Sequence, residues 1–236
     1  MLSAVPLVSI VIPVRADPAA LEALLAQLPP VDDVEIIVAC AAPVDEKTSR
    51  IRDARPDIVW VESRPGRGAQ LEAGARRARG RWIWFVHADS RLPQGWGDAF
   101  RALPEQGVIG GAFRFALDSA AWQARVLERL VAWRVRCFDL PFGDQGIFVR
   151  RDVLVRLGGV PPLPLMEDVE LVRRLACQGR LEYVSLPLVT SARRWEREGW
   201  WRRSAVNLLM LLLYRAGVSP AWLARRYYGG TEKTRC

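Results

Sequence analysis

The stretch Arg81-Trp-Ile-Trp-Phe-Val-His-Ala-Asp-Ser90 decides the reading of the whole chain. Trp82–Val86 is an apolar run of β-formers between Gly80 and polar residues, too short for a helix, and it predicts a strand buried on both faces. His87, Ala88 and Asp89 follow where such a strand leaves a parallel sheet, the position at which open α/β sheets bind ligands. Taken alone, Asp89 is better explained as a turn residue ahead of Pro93. A chain's single histidine, here His87, is likewise more often structural than a ligand, so the surrounding pattern must decide.

Outward from this run the first half alternates strand and helix signals. Val8–Ile12, Val34–Cys40 and Ile58–Val61 read as strands. Between them, Pro18–Leu28 carries leucines at helical spacing behind Asp17 as N-cap with Pro18 at the first helical position, and Asp45–Ala54 is a short polar helix. Gly68–Arg79 is a third helix, closed by Gly80. Such alternation implies right-handed crossovers and a mostly parallel α/β sheet with helices on its faces. The loop Arg64-Pro-Gly-Arg-Gly68 opens the third helix with residues that suit a phosphate at a helix N-terminus, and a plain surface turn explains it equally well. It lacks the third glycine of a dinucleotide fingerprint, Leu71 standing there, and no phosphate-binding G-x-x-x-x-G-K-[ST] loop occurs.

The second half is less regular. Val108–Leu117 reads as a strand and Ala120–Phe138 as a long helix, with Trp122, Val126, Leu130 and Trp133 on one face as core or groove wall. Phe142-Gly-Asp-Gln-Gly146 places Asp144 and Gln145 between glycines, where polar side chains can approach a ligand closely. The run from Met166 opens a helix with Leu171, Val172 and Leu175 inward and Glu167 and Asp168 in its first turn. Those two carboxylates either complement the helix dipole, for about 0.3 to 1 kcal/mol, or present a general base.

The chain has 236 residues, 50% hydrophobic and 25% charged, enough for one sizeable core. Net charge is +8, and the basic residues are arginine except Lys47 and Lys233, which suits an anionic partner such as nucleotide phosphates or a membrane surface. Four scattered cysteines without a C-x-x-C pair argue against structural zinc and a disulfide framework and favour a reducing, cytoplasmic location. The apolar N-terminus to Val14 has no preceding basic residue and contains Pro6 and Pro13, so it reads as a first strand rather than a signal peptide.

Val-Ser-Ile-Val-Ile-Pro-Val (8–14), Glu-Ile-Ile-Val (35–38), Arg-Gly-Arg-Trp (79–82), His-Ala-Asp (87–89), Gly-Asp-Gln-Gly (143–146), Glu-Asp (167–168) and Arg-Arg-Trp (193–195) succeed one another in an order that resembles family 2 glycosyltransferases of the GT-A fold, over about residues 7 to 228. Within that family the chain is most similar to the small bacterial group labelled selenium or radical-SAM-associated transferase 2. The resemblance implies an inverting transferase that takes a nucleotide-sugar donor and uses Mg2+ or Mn2+. Carried over by position, Asp89 matches the last Asp of the metal motif with His87 in place of its first, and Asp168, beside Glu167, matches the general base. Arg194 and Trp195 match the Arg-Trp of a Q-x-x-R-W motif, with Ser191 replacing Gln. Pro13, Arg15, Cys40, Arg64, Gly68, Asp89, Asp144, Gln145, Arg194 and Trp195 are the donor-binding candidates. Arg67 and Arg193 join Arg64 and Arg194 as candidate diphosphate contacts.

Two departures stand out. Cys40 occupies the position of the family's base-reading Asp, and a thiol is a poor acceptor for a nucleobase. Glu72 stands where the family commonly has Asn, near the expected phosphates. The alternative reading is therefore a nucleotide-binding, noncatalytic relative. A nucleotidyltransferase is disfavoured because Pro13-Val-Arg-Ala-Asp17 has no Gly-rich loop with a Lys, and dispersed arginines without a known motif argue against a nucleic-acid module. Residues 1–198 form the expected catalytic domain, and 199–236 an amphipathic helical tail packed on it, in a homodimer contact, or at the inner face of a membrane, which would suit a lipid-linked hydroxyl acceptor. The apolar run Val206–Tyr214 is far short of the ~20 residues that span a bilayer.

Overall fold

The computed structural model describes residues 5–15, 17–28 and 30–229; the extreme N-terminal residues and the last seven, with Lys233 and Cys236, lie outside them. In chain order the elements are β1 (Val8–Val14), α1 (Pro18–Leu25), β2 (Val34–Ala41), α2 (Glu46–Ala54), β3 (Val59–Ser63), α3 (Arg67–Arg77), β4 (Trp82–Phe85), α4 (Trp96–Ala102), β5 (Val108–Leu117) and α5 (Trp122–Phe138). A 3-10 turn at Gly143–Gln145 leads to β6 (Phe148–Arg150), α6 (Arg151–Arg156), α7 (Glu167–Ala176), β7 (Arg180–Thr190), α8 (Arg193–Glu198), α9 (Trp200–Arg215) and α10 (Pro220–Gly229).

The sheet order is β3-β2-β1-β4-β6-β5-β7. β1, β2, β3 and β4 run parallel, β6 is antiparallel to both β4 and β5, and β5 and β7 pair parallel. After β3 the chain returns to the other side of β1, so the order reverses between β1 and β4. That reversal opens a crevice at their carboxyl ends.

Strand alternation assigns the two faces. Val8, Ile10, Ile12, Ile36, Val38, Trp82 and Trp84 point to one layer, where Leu21 and Leu24 of α1 and Phe100 of α4 close the core. Val11, Ile37, Ile83 and Phe85 point to the other, against Leu71 of α3 and Val169, Leu171, Val172 and Leu175 of α7. β4 is thus fully buried, as its run of large apolar residues requires. Asp17 caps α1 through a bond from Ala20 N, and Asp45 caps α2 through one from Thr48 N.

One expectation is reversed. In α5 the stripe Trp122, Leu130 and Trp133 faces solvent, at 64%, 52% and 58% exposure, while Ala124, Leu127 and Val135 face inward. Both stripes have helical spacing, and the inner one wins because Ala124, fully buried, lets the helix lie close on Phe115 and Leu117 of β5. The tail folds back on the domain: Leu211 of α9 joins the second core layer, and the Tyr214 hydroxyl donates to Glu170 of α7 at 3.1 Å.

Candidate functional site

The crevice at the switch point is lined by Pro13 at the end of β1, His87 just past β4, Gly143 of the 3-10 turn, Arg67 opening α3, and Glu167 and Asp168 opening α7. Its free volume, about 10 Å3, is room for roughly one water.

Arg67 organises the charge here. Its Nε lies 2.7 Å from Glu167 Oε1 in an ion pair without hydrogen-bond alignment, and its Nη2 donates to Asp168 Oδ2 at 3.1 Å. Asp168 Oδ2 also accepts from Gly143 N at 2.8 Å, and Oδ1 from Val169 N at 2.8 Å. Burial would raise the Asp168 pKa, but Arg67 and these two amides outweigh it and hold the carboxyl below the usual range. Glu167, with 3% of its side chain exposed, goes the other way, because burial there outweighs Arg67 and Asp168 adds a like charge. Gly143 leaves room for the Arg67 guanidinium in its present position, since a Cβ there would collide with it and come within 3.1 Å of Asp168 Oδ2.

Orphaned polar atoms face the same region. His87 Nε2 and Asp144 Oδ1 are buried without a hydrogen-bond partner among the described residues. Burial and the nearby Arg67 push the His87 pKa down to about 3, so the imidazole is neutral and has one unprotonated ring nitrogen to offer. Burial pushes Asp144 up to about 6, against the opposing pull of Arg134. Asp89 reaches solvent on the turn after β4, where Ser90 N bonds His87 O at 3.1 Å. Its surroundings still raise its pKa, with Arg193 and Arg194 pulling it down. Among the described residues no three His, Cys, Asp or Glu side chains cluster as a metal site. The available set, a neutral imidazole with a free nitrogen and a carboxylate open to solvent, fits a divalent cation in kind, provided ligand oxygens or water complete its shell.

Several sequence candidates make contacts within the fold. Cys40, 4% exposed, packs in the first core layer, and burial lifts its thiol to about 11; a small apolar side chain suits the end of a buried strand. Gln145 is spent internally: its Oε1 accepts from Phe142 N at 3.1 Å and Arg134 Nη2 at 3.0 Å, and its Nε2 reaches Phe113 O at 3.4 Å. Gly68 lies against the loop after α6, where a Cβ would come 2.6 Å from Leu163 O and 2.9 Å from Pro161 O. Trp195 packs edge-on against Phe115 at 6.3 Å between centroids. Glu72 accepts from Val160 N at 2.6 Å and so ties the loop after α6 to α3. Arg15 and Arg64 are exposed just beyond β1 and β3, and Arg194 is close enough to act electrostatically on His87 and Asp89.

Two contributors had no legible signal. Gln70, 3% exposed, donates to Val14 O and Ala39 O at 2.6 and 2.8 Å and so pins the carboxyl ends of β1 and β2. Arg134 stacks 3.6 Å over the Phe142 ring, holding the 3-10 turn from α5.

This switch-point geometry has counterparts. Residues 9–155, more than half of the chain, match the signature of Glycosyl transferase family 2. The chain belongs to glycosyl transferase family 2. Solved structures share the family 2 protein's fold. Glucosyl-3-phosphoglycerate synthase from Mycobacterium tuberculosis, in complex with Mn2+, UDP and glucosyl-3-phosphoglycerate, superposes with a TM-score of 0.60 at 20% identity over 90% of this chain and 81% of that one. S. aureus TarS 1-349, in complex with UDP-GlcNAc, gives 0.59 at 14% identity over 78% of this chain. The family 2 chain spans only 58% of that TarS fragment. No curated protein sequence matches it.

Proposed function

We propose that this family 2 protein is an inverting, metal-dependent glycosyltransferase that moves a sugar from a nucleoside-diphosphate sugar to an acceptor hydroxyl. The observation that carries the reading is the Glu167–Asp168 pair at the start of α7, held by Arg67 at the carboxyl ends of β1 and β4. The complexes of the two similar structures with UDP and UDP-GlcNAc support a nucleotide-sugar donor.

In this scheme the acceptor oxygen attacks the anomeric carbon, the carbon–oxygen bond to the diphosphate breaks, and the nucleoside diphosphate leaves with the bonding electrons. Asp168 takes the acceptor proton, a role typically worth about 10²-fold to 10⁴-fold. While Arg67 lies in the crevice, Oδ2 accepts from both Arg67 and Gly143 N, and Oδ1 from Val169 N. The anionic diphosphate therefore also competes for the Arg67 guanidinium, whose planar fork suits phosphate as well as carboxylate. Donor binding thereby frees Asp168 Oδ2 from one of its two donors. Glu167 holds the other edge of Arg67 and stays out of proton transfer. Asp144, with an unpartnered oxygen, is placed to accept from donor hydroxyls. Arg194, and Arg193 beside it, add positive charge at the mouth.

His87 Nε2 and the Asp89 carboxylate are the residues that would hold Mg2+ or Mn2+, with the Mn2+ in the mycobacterial synthase complex as support. Once bound, such an ion supplies positive charge for the departing diphosphate.

The test is calorimetric titration with UDP, GDP, CDP, ADP and dTDP, with and without Mn2+. At least one should bind, more tightly with Mn2+, and Asp89→Ala should abolish that gain while leaving the unfolding midpoint unchanged. Binding of none, or an Mn2+ gain that survives Asp89→Ala, would contradict the reading.

A further inference from the structure

We propose that the face built from α5, α9 and α10 docks on an anionic lipid bilayer, with its aromatic and leucine side chains at headgroup depth and its arginines on lipid phosphates. This inference does not rest on the catalytic reading.

The three helices present large apolar side chains that the core does not cover. Trp122, Leu130 and Trp133 of α5 and Trp201, Leu208 and Leu212 of α9 are each at least half exposed. The helices are physically continuous: the rings of Trp122 and Trp201 lie 6.0 Å apart, and α10 is fastened to α9 by Arg203, which bonds the Tyr227 hydroxyl and stacks over its ring. A monomer rarely leaves an apolar patch of this kind without an occupant.

Charge identifies the occupant. From Gly199 to Gly229 the sequence has five arginines and no Asp or Glu; one of them, Arg203, is buried and ion-paired to Glu198, and the other four are exposed. In α5 the acid is Glu128, and its carboxylate is turned onto Leu117 N and Arg125. Arg129 and Arg136 of α5, Arg202 and Arg215 of α9, and Arg225 and Arg226 of α10 are exposed. Tryptophan and leucine interleaved with arginine, uncompensated by acid, is the composition of an interfacial surface on anionic lipid. A two-fold dimer through this face would instead set like charge against like. None of these helices is long and apolar enough to cross a membrane, so the face lies on the bilayer.

The face also rims the crevice. Arg134 of α5 holds the 3-10 turn through Gln145, and Tyr228 of α10 lies near enough to Glu167, Arg67 and Arg194 for their charges to act on it. A docked protein therefore opens its site beside the lipid surface.

The test is flotation of the full chain with vesicles of phosphatidylcholine containing about one-third phosphatidylglycerol at about 0.1 M salt, against pure phosphatidylcholine, where surface potential and screening differ most. The parent should float with the anionic vesicles and bind pure phosphatidylcholine at least about tenfold less. Arg202→Glu/Arg225→Glu/Arg226→Glu, and separately Trp201→Ser/Leu208→Ser, should each lower partition about tenfold while the unfolding midpoint stays parental. Failure of the parent to float, equal partition by well-folded variants, or a stable dimer by sedimentation velocity that Trp201→Ser/Leu208→Ser dissociates would overturn the proposal.

Discussion

Arg67→Gln removes the cation that stands between two carboxylates, Glu167 with 3% and Asp168 with 15% of its side chain exposed. Stripping one partner from a buried pair typically costs about 3 to 5 kcal/mol. The lower end applies, since the Arg67 side chain keeps 29% of its surface and the variant has an escape: Glu167 can take up a proton. From an ordinary pKa of 4.5, holding that proton at pH 7 costs about 3.4 kcal/mol at 1.36 kcal/mol per unit, and at pH 5 about 0.7. The sign follows from the Glu167 pKa, already raised by burial and raised further without Arg67. A carboxyl whose folded pKa lies above its unfolded value contributes stability at low pH and loses it as pH rises, so the deficit of the variant grows with pH. For a chain of this size the unfolding midpoint should fall by about 6 to 12 °C at pH 7 and by about 2 °C at pH 5. Melts followed by circular dichroism across that range decide it. Equal deficits at both pH values, or none at either, would refute the idea that Arg67 neutralises a buried carboxylate pair.

Asp144→Asn should stabilise the protein at pH 8 by about 1 to 2 kcal/mol after discounting for partial exposure, because burial lifts this carboxyl from 3.8 to about 6. The gain should shrink as pH falls from about 6 toward 3.8 and be gone below about pH 3, where the Asp is protonated both folded and unfolded; a constant difference across pH would count against it. Cys40→Asp should leave nucleotide preference unchanged and lower the unfolding midpoint by several degrees, since it buries an unpaired carboxylate in the core; titration with the five nucleoside diphosphates would expose a shift toward uridine if the side chain faced a base. Glu72→Gln should leave donor affinity parental, because the carboxylate caps the loop at Val160 and not a phosphate, and a marked gain in affinity would place it in the donor site after all.

The β-α alternation was legible because each buried strand is a short apolar run between breakers and each early helix carries its own cap, so local chemistry and fold agree at Asp17, Asp45 and Trp82–Val86. The order of the motifs likewise placed His87, Glu167 and Asp168 around one crevice. What sequence could not weigh was orientation. α5 carries two apolar stripes of equal periodicity, and only the fit of Ala124 against β5 selects one. Cys40 and Gln145 have the right positions for ligand contacts, but strand parity turns the first into the core and three internal bonds occupy the second. Arg67 looked like any of several loop arginines; its meeting with α7 is a contact across 101 residues of sequence, invisible to local pattern.

The most direct test of the central claim is release of nucleoside diphosphate from whichever sugar nucleotide binds, compared between the parent, Asp168→Asn and Glu167→Gln. If Asp168 accepts the acceptor proton, its variant should turn over about 10²-fold or more slowly with donor affinity near parental, since the lost interaction acts in the transition state. Glu167→Gln should retain most of the rate. A fully active Asp168→Asn protein, or one in which Glu167→Gln alone abolishes turnover, would contradict the account.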